Sequence, residues 1–196
     1  LETATREASV DVDDGWPRLT EGRTGPVADT AALARDLLLT LPAAGPRTIT
    51  AAFTETPPAT STDDVRKLGI TERLASFTTT GPTAGPTAGP TAGSAGPAAL
   101  ARLHGTLLKP GDTFSLHRTV GRDAPPQLAA TLFAAAFAAG LEDVEHRPHA
   151  TYQPWLPAVA EATAGPDQDL RFRNDTRSGV LIEARAWGTT TMVTLW

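Results

Sequence analysis

Between Gly81 and Gly93 the chain repeats Gly-Pro-Thr-Ala three times and then closes on Ser94-Ala95-Gly96-Pro97. Every fourth residue is a proline that lacks a backbone donor, and every fourth a glycine that resists ordering. No helix or interior strand can therefore run through this tract. It reads as a semi-extended surface loop, so any core in these 196 residues must be assembled from the segments on either side. A spacer role and a neutral expansion inside a tolerant loop both suit it.

The elements around the tract predict an α+β chain in two parts: a small α+β module over 1–70 and a second α+β domain over 71–196, which contains the repeat loop. Ser9-Val10-Asp11-Val12 alternates, Asp13-Asp14-Gly15 turns, and Trp16 to Thr20 returns. Asp29 or Thr30 can cap a helix whose Leu33, Leu37, Leu38 and Leu41 recur at helical spacing. Residues 47–55 read as a strand with Ile49, Ala51 and Phe53 on one face. Ser61 or Thr62 caps a short helix carrying Asp63 and Asp64 in its first turn. Past the repeat, residues 98–103 suit a short helix and 113–116 a strand. Asp123 is the expected cap of a helix that turns Leu128, Leu132, Ala136 and Phe137 inward and ends at Gly140. Alternation at Leu170 and Phe172, then strands from Val180 to Trp187 and from Thr190 to Trp196 around Gly188-Thr189, predict a C-terminal antiparallel meander.

Charge narrows the partners. With 17 basic and 22 acidic residues, net charge −5 and no basic block, nucleic acid is not an expected partner. No apolar run reaches the roughly 18 residues that span a membrane. Glu2, Arg6, Glu7 and Asp11 interrupt any apolar core of a signal peptide at Leu1, and an export signal or anchor ahead of Leu1 is the expectation. Only Lys67 and Lys109 are lysines, against many arginines, and alanine, glycine and proline abound; this is the coding bias of a high-GC bacterium. The chain has no cysteine, which removes thiolate chemistry and suits either side of a membrane.

Six segments follow one another in order: Leu107-Leu108-Lys109-Pro110-Gly111-Asp112-Thr113-Phe114-Ser115, Val120-Gly121, Gln127 to Ala136, Gly140-Leu141-Glu142, Arg147-Pro148-His149 and Asp169-Leu170-Arg171-Phe172-Arg173-Asn174. Together they resemble the VanW family, named after an accessory gene of vancomycin-resistance clusters. Gln127, Thr131 and Leu132 match that family's helix, while Pro126 stands where the family carries cysteine. The first 70 residues resemble the small α+β module, described as peptidoglycan-binding, that commonly precedes VanW domains. The resemblance implies an extracytoplasmic, cell-wall-associated protein whose partner is peptidoglycan or its peptide stems.

Candidate binding residues are Gln127, His149, Tyr152 and Arg171. Gln127 either offers an amide to a ligand at a helix start or is a plain exposed first-turn residue. His149, in the family's Arg-Pro-His triplet, can act as base or hydrogen-bond partner, or anchor a loop. Tyr152 and Trp155 would stack on sugar faces if exposed and pack in the core if buried. Arg171, Arg173 and Asn174 alternate outward on the expected strand, where the arginines could grip carboxylates of wall peptides. Pro148 between His146 and His149 spoils helical chelation, so no metal is expected, and no cofactor. Ser115 near a Gly-Asp turn is the most tempting nucleophile for a hydrolase, yet no Gly-x-Ser-x-Gly elbow surrounds it. Three functions follow: a wall-binding protein without catalysis, a peptidoglycan enzyme using a hydroxyl or histidine, and a decayed paralogue.

Overall fold

A computed structural model describes residues 4–40, 49–81, 96–149, 156 and 161–196. The fold is α+β with antiparallel pairing throughout. The chain divides into two compact units: residues up to Ser9 with Leu19–Arg66, and Val10–Arg18 with Lys67–Trp196.

Strands β1 (Ser9–Asp13) and β2 (Trp16–Thr20) form the expected hairpin. Its tip has positive φ at both Asp14 (51°) and Gly15 (74°), the pair of left-handed residues that a tight two-residue hairpin demands. In the first unit, β3 (Gly25–Ala28) pairs with β4 (Phe53–Thr56). Between them α1 (Thr30–Thr40) begins where Asp29 Oδ1 accepts the Ala32 N–H at 2.8 Å. Of the leucines at helical spacing, Leu33 is half-buried and Leu37 and Leu38 are 49% and 69% exposed, so none is buried; Leu41 lies outside the described residues. Of the strand expected over 47–55, residues 47 and 48 lie outside the described residues and the rest forms a strand only from Phe53, as β4, exposed along its length. Helix α2 (Thr62–Lys67) starts with a reciprocal cap: Ser61 Oγ accepts the Asp64 N–H at 3.1 Å, and Asp64 Oδ2 accepts from Ser61 Oγ at 2.7 Å.

The second unit holds the main core. Strands β5 (Ala75–Thr80), β6 (Thr106–Leu108), β10 (Val180–Trp187) and β11 (Thr190–Leu195) make a four-stranded sheet in the order β5-β11-β10-β6. Strands β7 (Thr113–Ser115), β8 (Glu142–Glu145) and β9 (Arg171–Arg173) make a second sheet in the order β7-β9-β8. The helices are α3 (Pro97–Leu103), α4 (Leu116–Thr119) and α5 (Pro126–Ala138). Leu128, Leu132, Ala135 and Ala136 of α5 join Val180, Ile182, Val193 and Leu195 of the meander in one buried cluster. Each fully buried leucine or isoleucine there contributes about 1.5–3 kcal/mol. Phe114 and Phe172 extend it into the three-stranded sheet, rings stacked with centroids 4.8 Å apart.

Helix α5 departs from expectation at both ends. Asp123 does not cap it; Pro125 occupies the cap in extended conformation and Pro126 the first helical position, where a missing N–H costs nothing. At the far end Phe137 is 63% exposed instead of facing inward, while Gly140 closes the helix with φ 73°. No described helix is long and apolar enough to cross a membrane.

Candidate functional site

Gln127 is a buried strap. Its Nε2 donates to the Thr189 carbonyl at 2.9 Å and to the Thr79 carbonyl and hydroxyl at 3.2 Å each. One amide thus ties the start of α5 to β5 and to the β10–β11 turn. The Thr131 hydroxyl donates to the Gln127 carbonyl at 2.7 Å and meets the Thr79 hydroxyl at 2.6 Å. Gln127 and Thr131 are buried, so Gln127 is not the exposed first-turn residue its position suggests. The amide also explains the first glycine of the repeat: a Cβ on Gly81 would lie 2.6 Å from Gln127 Oε1. An alanine there would displace the strap.

His149 lies in a half-buried position just past β8. Thr163 N–H donates to the Arg147 carbonyl at 2.8 Å, drawing the segment before Ala164 back along residues 147–149 and bringing the Glu161 carboxylate within electrostatic reach of His149. Both His149 ring nitrogens are shielded from solvent and have no hydrogen-bond partner among the described residues. Burial holds the imidazole below its ordinary pKa, and the negative charge of Glu161 pulls the other way. The outcome is a ring that favours its neutral form. Tyr152 and Trp155 lie outside the described residues. His146, three residues earlier, has a different setting: Nδ1 is 2.6 Å from Asp143 Oδ2, and its ring stacks on Phe133 with centroids 4.4 Å apart.

The arginines of β9 are engaged across the sheet. Arg171 faces Glu145 at 3.7 Å and Arg173 faces Glu142 at 3.4 Å, both pairs about half exposed. Asn174 does not point outward. It is fully buried, donating from Nδ2 to the carbonyls of Leu108 (3.2 Å) and Ser178 (2.8 Å) and accepting at Oδ1 from Thr176. No hydrogen bond or ion pair among the described residues joins Gln127, His149 and Arg171.

Ser115 sits in a cluster that resembles a nucleophile constellation in composition only. Its hydroxyl donates to Asp169 Oδ2 at 2.6 Å and accepts the Arg118 N–H at 3.2 Å, which makes it the cap of α4. Asp169 Oδ1 accepts the N–H groups of His117 and Leu170, each at 2.9 Å. The His117 ring turns away, with Nε2 2.8 Å from the Gly165 carbonyl. A catalytic serine needs a base on its proton and an orienting group behind the base. Here the proton is given straight to a carboxylate that also holds two backbone donors. Asp169 is the residue that sequence reasoning left without a role, since its partners lie 52 and 54 positions away.

Residues 126–196 match the family described as VanW like protein. No curated protein and no solved structure matches the chain. The VanW-like stretch opens on Pro126, the first helical residue of α5, and carries Gln127, His149 and Arg171; the Leu107–Ser115 segment precedes it. Within it the described residues include no group of histidines, aspartates and glutamates able to hold a metal ion.

Proposed function

We propose that this is an extracytoplasmic, cell-wall-associated protein that binds peptidoglycan without turning it over. The observation that carries the reading is Pro126 at the first turn of α5, at the start of the VanW-like match. A cysteine there would have its thiolate favoured by the free N–H groups of the helix start, whereas proline supplies neither nucleophile nor proton. The chain contains no thiol anywhere, and the Ser115 hydroxyl is committed to Asp169. What supports recognition in the matched stretch is His149, a neutral imidazole near Glu161 whose nitrogens have no hydrogen-bond partner among the described residues.

The test is cosedimentation with purified walls of high-GC bacteria. Native protein should pellet, and His149→Ala should pellet less while melting within a few degrees of native. Protein that stays in the supernatant with every wall tested removes the reading. A second reading, a peptidoglycan enzyme using His149 as base, draws on its neutral, shielded imidazole. Release of soluble muropeptides by native protein, lost in His149→Ala, would decide for it.

A further inference from the structure

A cleft of about 520 Å³ opens in the second unit beside the Lys109-Pro110-Gly111-Asp112 turn, which joins β6 to β7. Thr106, Leu107, Asp112, Thr113 and Arg118 are among its walls. Both flanking strands are outer strands: among the described residues β6 pairs only with β10 in the four-stranded sheet, and β7 only with β9 in the three-stranded one.

Antiparallel alternation decides which peptide groups face the open side. Leu181 exchanges both backbone bonds with Trp196, each at 3.0 Å, so Val180 and Ile182 on either side turn toward β6. Their register partners Leu108 and Thr106 face back at them. Leu107, lying between, turns its N–H and C=O outward. On β7, Asn174 N–H donates to the Asp112 carbonyl at 2.9 Å and Leu116 N–H to the Leu170 carbonyl at 3.0 Å. Phe114, midway, also faces β9, and the peptide group of Thr113 turns outward. Arg118 Nη2 takes the Thr113 carbonyl at 2.8 Å. The rest of that exposed guanidinium has no carboxylate partner among the described residues. Asp112, also exposed, accepts the Lys109 N–H with Oδ2 at 2.9 Å, which leaves its second carboxylate oxygen toward solvent. The cleft therefore combines an open strand edge, a cation and an anion.

We propose that this cleft takes an extended peptide, which adds as a strand at Leu107 of β6, sets its terminal carboxylate on Arg118 and places an amine-bearing residue near Asp112. The inference rests on the wall-binding reading for the source of the peptide, a peptidoglycan stem; the recognition is the chemistry of the cleft itself.

Isothermal titration of the full chain with the tetrapeptide acetyl-Lys-Ala-Ala-Ala tests it. The free acid should bind, its C-terminal amide should bind at least tenfold more weakly, and Arg118→Ala should abolish the difference between the two. Peptides N-methylated at one alanine each should alternate between weakened and unaffected, because a strand donates from every second N–H. These probe-side changes leave the protein untouched, so a folding defect in the variant cannot imitate them. Equal affinity for acid and amide, indifference to N-methylation, or no titration at millimolar peptide overturns the cleft. No titration from a protein that still pellets with walls discards the cleft and keeps the wall reading. Titration by a protein that stays in the supernatant does the reverse.

Discussion

A single buried amide carries more of this fold than its place in the sequence announces. Gln127 holds the carbonyls of Thr79 and Thr189, which lie 48 and 62 positions away, so its role depends on contacts no local pattern encodes. Gln127→Ala removes a second donor from carbonyls that keep a backbone one, the Gly81 N–H on Thr189 and the β11 ladder on Thr79, so the loss is that of ordinary hydrogen bonds, about 0.5–1.5 kcal/mol each. A chemical denaturation curve should show its midpoint falling with little change in slope; a shift under about 0.5 kcal/mol would mean that water replaces the amide. His149 gives the second prediction at this scale. Burial lowers its pKa from the ordinary 6.5 despite the upward pull of Glu161. Below 6.5 the unfolded chain takes up a proton that the folded one resists. The ring's contribution is therefore intact above that pH and declines as pH falls toward the lowered folded value. Comparing Tm against pH, His149→Gln should flatten this decline relative to native protein. Parallel profiles would show that other groups set the slope.

At the scale of elements, what a short window reveals depends on whether a neighbour reinforces it. The β1–β2 hairpin was legible because Asp14-Gly15 dictates its own turn, and the β10–β11 meander because alternation and turn residues agree. β8 was not legible: Glu142-Asp143-Val144-Glu145 lacks an apolar face, and the strand forms along β9 through pairs of Glu142 with Arg173 and Glu145 with Arg171. β5 was missed for a related reason. Its run of threonines becomes a strand by meeting the threonines of β11, with Ser76 to Thr194 at 3.0 Å and Thr80 to Thr190 at 3.3 Å. Of the candidate site, the Arg147-Pro148-His149 triplet was legible as a motif, while the half-buried setting of His149, the burial of Asn174 and the commitment of Ser115 to Asp169 came only from packing. Helix α5 supplies the prediction here. Pro126→Cys restores a thiol at a helix start, but the run Asp123-Ala124-Pro125 ahead of it holds no glycine and lends one fewer backbone donor at Pro125. An oxyanion needs such donors aimed at it. The variant should fold, react with thiol reagents, and release no muropeptide from walls; cysteine-dependent release would show that the start of α5 can support thiol catalysis.

For the molecule as a whole, the question is whether residues 82–95 matter to the unit that contains them. Both flanks are anchored without them. Gly81 N–H donates to the Thr189 carbonyl at 2.9 Å beside the Gln127 strap, and the Gly96 carbonyl accepts from Ala99 at 2.9 Å and Leu100 at 3.1 Å to open α3. Strand β5 before the tract is an outer strand of the four-stranded sheet and α3 after it packs on that sheet, so their positions are fixed by Phe77 and Leu103 against the common core. The tract then serves as a connection whose closure entropy depends only weakly on its length, by about 0.6 kcal/mol per halving. Replacing residues 82–95 with a Gly/Ser link half as long should therefore shift Tm by about 1–3 °C, in the stabilising direction if the link spans without strain. Wall cosedimentation should be unchanged in the same protein. A loss of cooperative melting would show that the Gly-Pro-Thr-Ala repeat packs against the fold. Intact melting with lost cosedimentation would instead make the repeat part of the binding surface.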